Sequence, residues 1–416
     1  MNRVKVTILH PGDPLGFKVG GIETFIRDFI KNAPSHFDID FVGISTDREK
    51  CKPGKWIKLD IGGKPFNFFP LFFEEDANKK SFIPLSLRYS FRLKMSNLNF
   101  DHHVLFFNRL EPAILFRNKR VPKFLITHND IEKQILKSGG EVLWSKFPKL
   151  YLKIEDKVFP GLDRIYTVSM STLDFYCKKY SKWKDKFAFI PTFVDVEKFR
   201  VVKITDKPAL KKEIARQLEN VDPEAHWILF VGRLQKQKNP IRLLEVFQKY
   251  NLKDTSSYLL IAGEGNLRKA AENHARELGV EKNVIFLGNV NPNDIVKLYQ
   301  ASDAFLMTSN FEGMPMSVLE ALGCGLPVVS NEVGEVSRVV RNNFSGEVVK
   351  TVDPGMIAQS LFKVVDNPHV YTASNCVDSI REFTPQKVLQ EKYDKMEELY
   401  VQKFHGNGSI RERVEK

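Results

Sequence analysis

Two glutamates, Glu312 and Glu320, have seven residues between them in the run NFEGMPMSVLEALGCGLPVVS from Asn310 to Ser330. Glu312 falls in a short Gly/Pro loop that follows the strand-like DAFLMTS. Pro315 suits the start of a helix, where its missing N–H costs nothing. The spacing predicts that helix over Met316–Leu322, stopped by Gly323 and Gly325. Free N–H groups and the positive end of a helix dipole make a seat for an anion or a cluster of hydroxyls. Glu320 shares a helical face with Met316 and Ser317. A carboxylate accepts two hydrogen bonds from a vicinal diol, as the acidic residue of dinucleotide sites does with ribose. Two acids at two depths suit two different sugars. Taken alone, the pair fits equally a charge favoured by the dipole and an exposed helix glutamate. The glycine and proline context favours the ligand.

Arg233 and Lys238 in GRLQKQK follow the strand-like WILFVG. Two fixed cations at a strand end suit a diphosphate, although a solvated basic turn has the same composition. IAGEGNLR and the pair Gly20–Gly21 each place glycine between a strand and a helix. Neither has the spacing of a Walker loop or of a dinucleotide fingerprint. His128 in FLITHND follows another strand and faces the same way as the other strand-end residues, or else is structural. His102 and His103 read as structural. Asp38 and Asp40 alternate with Phe37, Ile39 and Phe41, the pattern of a strand with one wet face, so no metal role is assigned to them.

These residues need elements to hold them. Val4–Leu9, His36–Ser45, His103–Phe107, Lys123–Thr127 and Arg164–Ser169 read as strands, with helical spacing between them. The pattern restarts after a polar segment, read as a linker, that reaches Ala225. WILFVG, YLLIAG, NVIFLG, DAFLMTS and PVVS supply further strands. Alternating strands and helices predict an α/β fold of two doubly wound, Rossmann-like domains facing across a cleft. The expected boundaries are 1–196 for an acceptor-side domain and 197–385 for a nucleotide-binding domain. A helix over 386–416, capped by Thr384 and Pro385, then crosses back to the first domain and ends in a tail.

Composition narrows the class. The chain is 43% hydrophobic and 27% charged, as soluble globular proteins are, and no apolar run reaches the ~20 residues of a membrane span. MNRVKVTILHPG reads as a first strand, not a signal peptide. Four cysteines at wide spacing match no metal motif and fit reduced thiols in the cytoplasm. The net charge of +12 resides in residues 1–200, with 35 Lys/Arg against 23 Asp/Glu; the remainder is balanced at 28 each. A basic half suits nucleic acid, an anionic membrane or an acidic acceptor. No nucleic-acid motif accompanies the charge. KPFNFFPLFF (64–73) and SFIPLSLRYSFRLK (81–94) fit either a membrane-facing surface or core and groove wall.

With these pieces assembled, the sequence resembles the retaining glycosyltransferases of the GT-B fold, glycosyltransferase family 4. FVGRLQKQKNP, LLIAGEGNLR, VIFLGNV and FEGMPMSVLEALGCGLPVVS follow one another in that family's order, and GGIETFI, THND and IPTFVDVEKF fit its first domain and crossing point. The resemblance implies transfer of a hexose from a nucleoside-diphosphate sugar to a glycan or lipid-linked acceptor, with no cofactor and no metal. It implies that Glu320 binds the nucleotide ribose and Glu312 the transferred sugar, together with backbone at Gly313, Met314, Pro315 and Met316. Arg233 and Lys238 would hold the departing diphosphate, Gly20 and Gly21 would lie near it, His128 beside the donor sugar, and Val290 near the base. A cytoplasmic enzyme at the inner face of the membrane follows. A nucleotide-sugar epimerase of the same fold and a basic nucleic-acid-binding protein are the rival expectations. Thr192–Phe193 and Asn239 stand where the family often has Asn-Gly and Gly. The change at Phe193 bears on the acceptor side.

Overall fold

The computed structural model describes residues 3–16, 21–75, 83–128, 131, 135, 143–218 and 221–406. The chain forms two compact units: Met1–Pro191 with Pro385–Lys416, and Thr192–Thr384.

In the first unit the elements run β1 (Val4–Leu9), α1 (Gly21–Lys31), β2 (Phe37–Ser45), β3 (Ile57–Ile61), β4 (Lys64–Phe73), α2 (Leu85–Met95), β5 (Val104–Phe107), α3 (Leu110–Ala113), β6 (Lys123–Thr127), α4 (Pro148–Val158), β7 (Arg164–Thr167), α5 (Met170–Lys179) and β8 (Phe187–Phe189). They build one sheet in the order β3-β4-β2-β1-β5-β6-β7-β8. Its pairs are parallel except β3 with β4. Apart from exposed Lys5, the central strands are buried along their length, which is why they read as largely apolar runs.

Lys64–Phe73, open to a membrane-facing reading from sequence, is instead a strand between β3 and β2 that buries Phe66, Phe68 and Phe69. Asp38 is held by a bidentate contact from Arg3, and Asp40 accepts from the Asn67 amide at 2.8 Å. His103 Nδ1 lies 2.8 Å from Thr7 Oγ1.

The second unit contains α6 (Lys207–Ala215), β9 (Trp227–Val231), α7 (Pro240–Asn251), β10 (Tyr258–Ala262), α8 (Arg268–Glu277), β11 (Val284–Gly288), α9 (Asp294–Ala301), β12 (Ala304–Met307), α10 (Met316–Gly323), β13 (Val328–Asn331), β14 (Gly346–Val349), α11 (Pro354–Asp366) and α12 (Ala373–Ser379). Its parallel sheet has the order β11-β10-β9-β12-β13-β14. The segment expected to be a linker contains α6. Lys207 and Lys211 of that helix bind the two carboxylate oxygens of Asp303 at 2.8 and 3.0 Å, and Asp303 also accepts from Trp227 N.

The final helix, α13 (Pro385–Phe404), belongs to the first unit. Its stripe of Leu389, Tyr393, Met396 and Tyr400 is buried. The Tyr393 ring packs on Phe29 and Phe37, and its hydroxyl donates to Phe29 O at 2.6 Å.

Candidate functional site

Numbered within the second unit, the sheet order is 3-2-1-4-5-6. In such a sheet the chain reverses direction between strands 1 and 4, and a crevice opens at their carboxyl ends. Here those strands are β9 and β12. The loop after β9 carries Arg233 and Lys238, and the loop after β12 carries Glu312 and leads into α10 with Glu320.

The two loops are tied together. Asn310 N donates to Gln237 O at 2.8 Å, and its side chain donates to Lys236 O at 2.7 Å. Arg242 reaches from α7 to Thr308 O and to the Asn310 side chain. Asn239 has φ +48° and caps α7 by accepting from Arg242 N. A left-handed residue explains why glycine is common there in the resembling family and why asparagine serves as well. On the other flank, Gly263 (φ +143°) packs so closely that an added Cβ would come within 2.0 Å of Gly232 O. Gly334 (φ +55°) is pressed as tightly on Gly313 O. Both loops are therefore fixed by backbone approaches that a side chain would block.

Within this frame Lys238 Nζ lies 2.7 Å from Glu312 Oε1, an ion pair off hydrogen-bond alignment. Glu312 is 5% exposed. Its other oxygen lies 3.4 Å from Gln237 Nε2. Glu320 accepts from the Tyr299 hydroxyl at 2.8 Å. Burial pushes the Glu320 carboxyl up, opposed by the Tyr299 hydrogen bond and by the charges of Lys198 and Lys238. Lys238 thus acts on both acids. Arg233 stands exposed on the same loop, with no acid against it among the described residues. Met314 and Pro315 are buried, Gly313 and Met316 partly so, and Thr192 Oγ1 donates to Met314 O at 3.0 Å. The first N–H groups of α10 have no acceptor inside their own helix. Ser317 Oγ, in its first turn, is buried without a partner among the described residues. Val290 follows β11 and is partly exposed two residues beyond Gly288.

Phe193, one residue into the second unit, is 1% exposed.

His128 belongs to the first unit, at the end of β6, and Gly21 opens α1 there. Gly20, Asn129 and Asp130 lie outside the described residues. His128 Nε2 is 2.9 Å from Asn108 Oδ1, and its ring meets Phe25 edge-on at 5.7 Å. Burial, reinforced by His10 and Arg109, lowers its pKa to about 3, so the ring is neutral near pH 7. Nearby, His10 Nε2 lies 3.8 Å from Glu23 Oε1, both buried.

Tyr299, Gln237, Lys198, Asn108 and His10 escaped sequence reasoning, and Ser317 was read only as sharing the helical face of Glu320. Ser317 had a signal, since it shares the turn of Pro315. The others become visible once strands adjacent in space, not in sequence, are paired.

Comparison with known proteins bears on this geometry. Residues 211–382 match the family described as glycosyl transferases group 1. Over 223 residues the chain is 30% identical to the UDP-Gal:alpha-D-GlcNAc-diphosphoundecaprenol alpha-1,3-galactosyltransferase of Escherichia coli, covering 52% of this chain and 54% of the relative. The chain spans about half the length of the curated relatives it matches first. Among solved structures, sucrose-phosphate synthase from Thermosynechococcus elongatus superposes with a TM-score of 0.75 at 18% identity, over 97% of this chain and 100% of that one. Anabaena HepE in complex with UDP-glucose gives 0.70 at 16% identity, over 95% and 100%. The chain has the GT-B fold, and the match over residues 211–382 makes its second unit similar to the glycosyl transferases group 1.

Proposed function

We propose that the protein transfers a hexose from a nucleoside-diphosphate sugar to a hydroxyl of a glycan or lipid-linked acceptor, with retention at the anomeric carbon. The observation that carries the reading is the gathering of Lys238, Glu312 and Glu320 at the β9/β12 crevice, with Arg233 on the same loop and the start of α10 beside them. Glu320, fixed by Tyr299, binds the ribose diol. Glu312 binds hydroxyls of the transferred sugar. Arg233, Lys238 and the α10 N–H groups receive the diphosphate and stabilise the charge that develops as it departs. No metal is needed for that task when cations are already in place.

The bond from the anomeric carbon to the diphosphate oxygen breaks, and the acceptor oxygen bonds to that carbon on the same face. The acceptor proton passes to the leaving phosphate oxygen, so no enzymic nucleophile is required. His128, neutral, offers a hydrogen bond to the sugar and no charge. The name of the Escherichia coli relative, with its diphosphoundecaprenol acceptor, supports a lipid-linked acceptor, and the basic first half suits an acidic one.

The test is a panel of UDP-, GDP- and ADP-sugars scored by thermal shift and by donor turnover. Wild type should hydrolyse or transfer one donor class, and Glu312→Gln should lose that turnover while staying folded. Unchanged turnover in Glu312→Gln would remove the acid from the reaction. An epimerised sugar released with water as the sole acceptor would replace transfer by epimerisation.

A further inference from the structure

Helix α2 has two apolar faces. Tyr89 and Leu93 point inward: Tyr89 is fully buried and its hydroxyl donates to Val42 O at 2.6 Å. At ~100° per residue, Leu87, Phe91 and Met95 fall about opposite Tyr89, and they are 40%, 64% and 64% exposed. Ile83, one turn earlier, is also exposed. An ordinary surface helix would place polar groups there.

The charges flanking the stripe have one sign. The helix sequence LSLRYSFRLKM contains Arg88, Arg92 and Lys94 and no acid. Arg88 is paired with Glu74 at 2.5 Å, whereas Arg92 and Lys94 are exposed. Helix α4 packs on α3, as α2 does, and it adds exposed Leu150 beside Lys149, with Phe147 and Lys146 just before it.

We propose that this outward face of α2 docks on an anionic phospholipid surface, with Leu87, Phe91 and Met95 in the acyl boundary and Arg92 and Lys94 among the headgroups. Apolar side chains rimmed by cations are complementary to such a surface. A second copy of the helix would instead bring like charges together. The proposal rests on the lipid-linked reading of the acceptor, and it places the protein where that acceptor is held.

Flotation of the full chain on vesicles tests it without nucleotide or acceptor, so its failure and that of the transfer reaction are distinguishable. Wild type should float with mixed phosphatidylglycerol–phosphatidylcholine vesicles at low salt, and much less with phosphatidylcholine alone. Phe91→Ser combined with Met95→Ser should weaken partition at least about tenfold, with an unchanged melting temperature and unchanged donor hydrolysis. Arg92→Gln with Lys94→Gln should weaken it on the anionic vesicles and flatten its salt dependence. Three outcomes would overturn the proposal: wild type staying with the soluble fraction, the Ser variant floating as wild type does, or lipid-free wild type forming a dimer that the Ser variant loses.

Discussion

Lys238 is the residue on which the site turns, because it meets one carboxylate directly and biases the other. Under the proposed transfer, a diphosphate arriving at the crevice would draw its ammonium from Glu312 and leave Glu312 to sugar hydroxyls. Lys238→Ala should therefore lower kcat by about 10²–10³, or roughly 3–4 kcal/mol of transition-state stabilisation, with a smaller rise in donor KM. Steady-state kinetics with an unchanged kcat would refute the role. In the proposed reaction Tyr299 would position Glu320, to which its hydroxyl donates at 2.8 Å. Tyr299→Phe should raise donor KM through Glu320 and cost about 1 kcal/mol of stability, read from kinetics and a denaturant titration. His128 gives a pH signature. Its folded-state pKa, about 3 against an ordinary 6.5, means that protonation favours the unfolded chain. Its stabilising contribution is complete above pH 6.5 and is lost as pH falls toward 3, at no more than about 1.4 kcal/mol per pH unit. His128→Gln should flatten the melting temperature between pH 6.5 and 4; a profile parallel to wild type would show that the proton goes elsewhere.

At the scale of elements, the packing explains what could be read in advance. Strands β1, β5, β6, β9, β10 and β12 are buried on both faces and announce themselves as apolar runs. The Gly/Pro punctuation around α10 marked its limits to within a residue. Helix α6 was hidden because it docks through lysine: Lys211 is 7% exposed, with its ammonium on Asp303 and over the Trp227 ring. Composition shows such a helix as a polar linker. Short β8 and β14 offered too few residues for alternation to register. The bonds between the β9 and β12 loops join residues more than seventy positions apart, so no local pattern could reveal that Lys238 meets Glu312. Asp303 is the clasp of α6. Its carboxyl is held below the usual range by Lys207 and Lys211 despite burial. Asp303→Ala would leave Lys211 buried and unpaired, and should cost about 3–5 kcal/mol in chemical denaturation. A loss below 1 kcal/mol would mean that α6 holds on by other contacts.

For the whole molecule, transfer driven by fixed cations predicts that a chelator leaves turnover unchanged. A large loss restored by Mg²⁺ or Mn²⁺ would assign the diphosphate charge to an ion instead. The other molecular consequence comes from α13. The first unit is assembled from both extremities of the sequence, with the second unit inserted between them. During vectorial synthesis, Phe29 and Phe37 must wait for Tyr393 to leave the ribosome, after about 355 intervening residues have emerged. The nascent first half therefore carries an uncovered aromatic seam for most of translation. A stop codon ahead of residue 385 would damage a unit whose other part was made earlier.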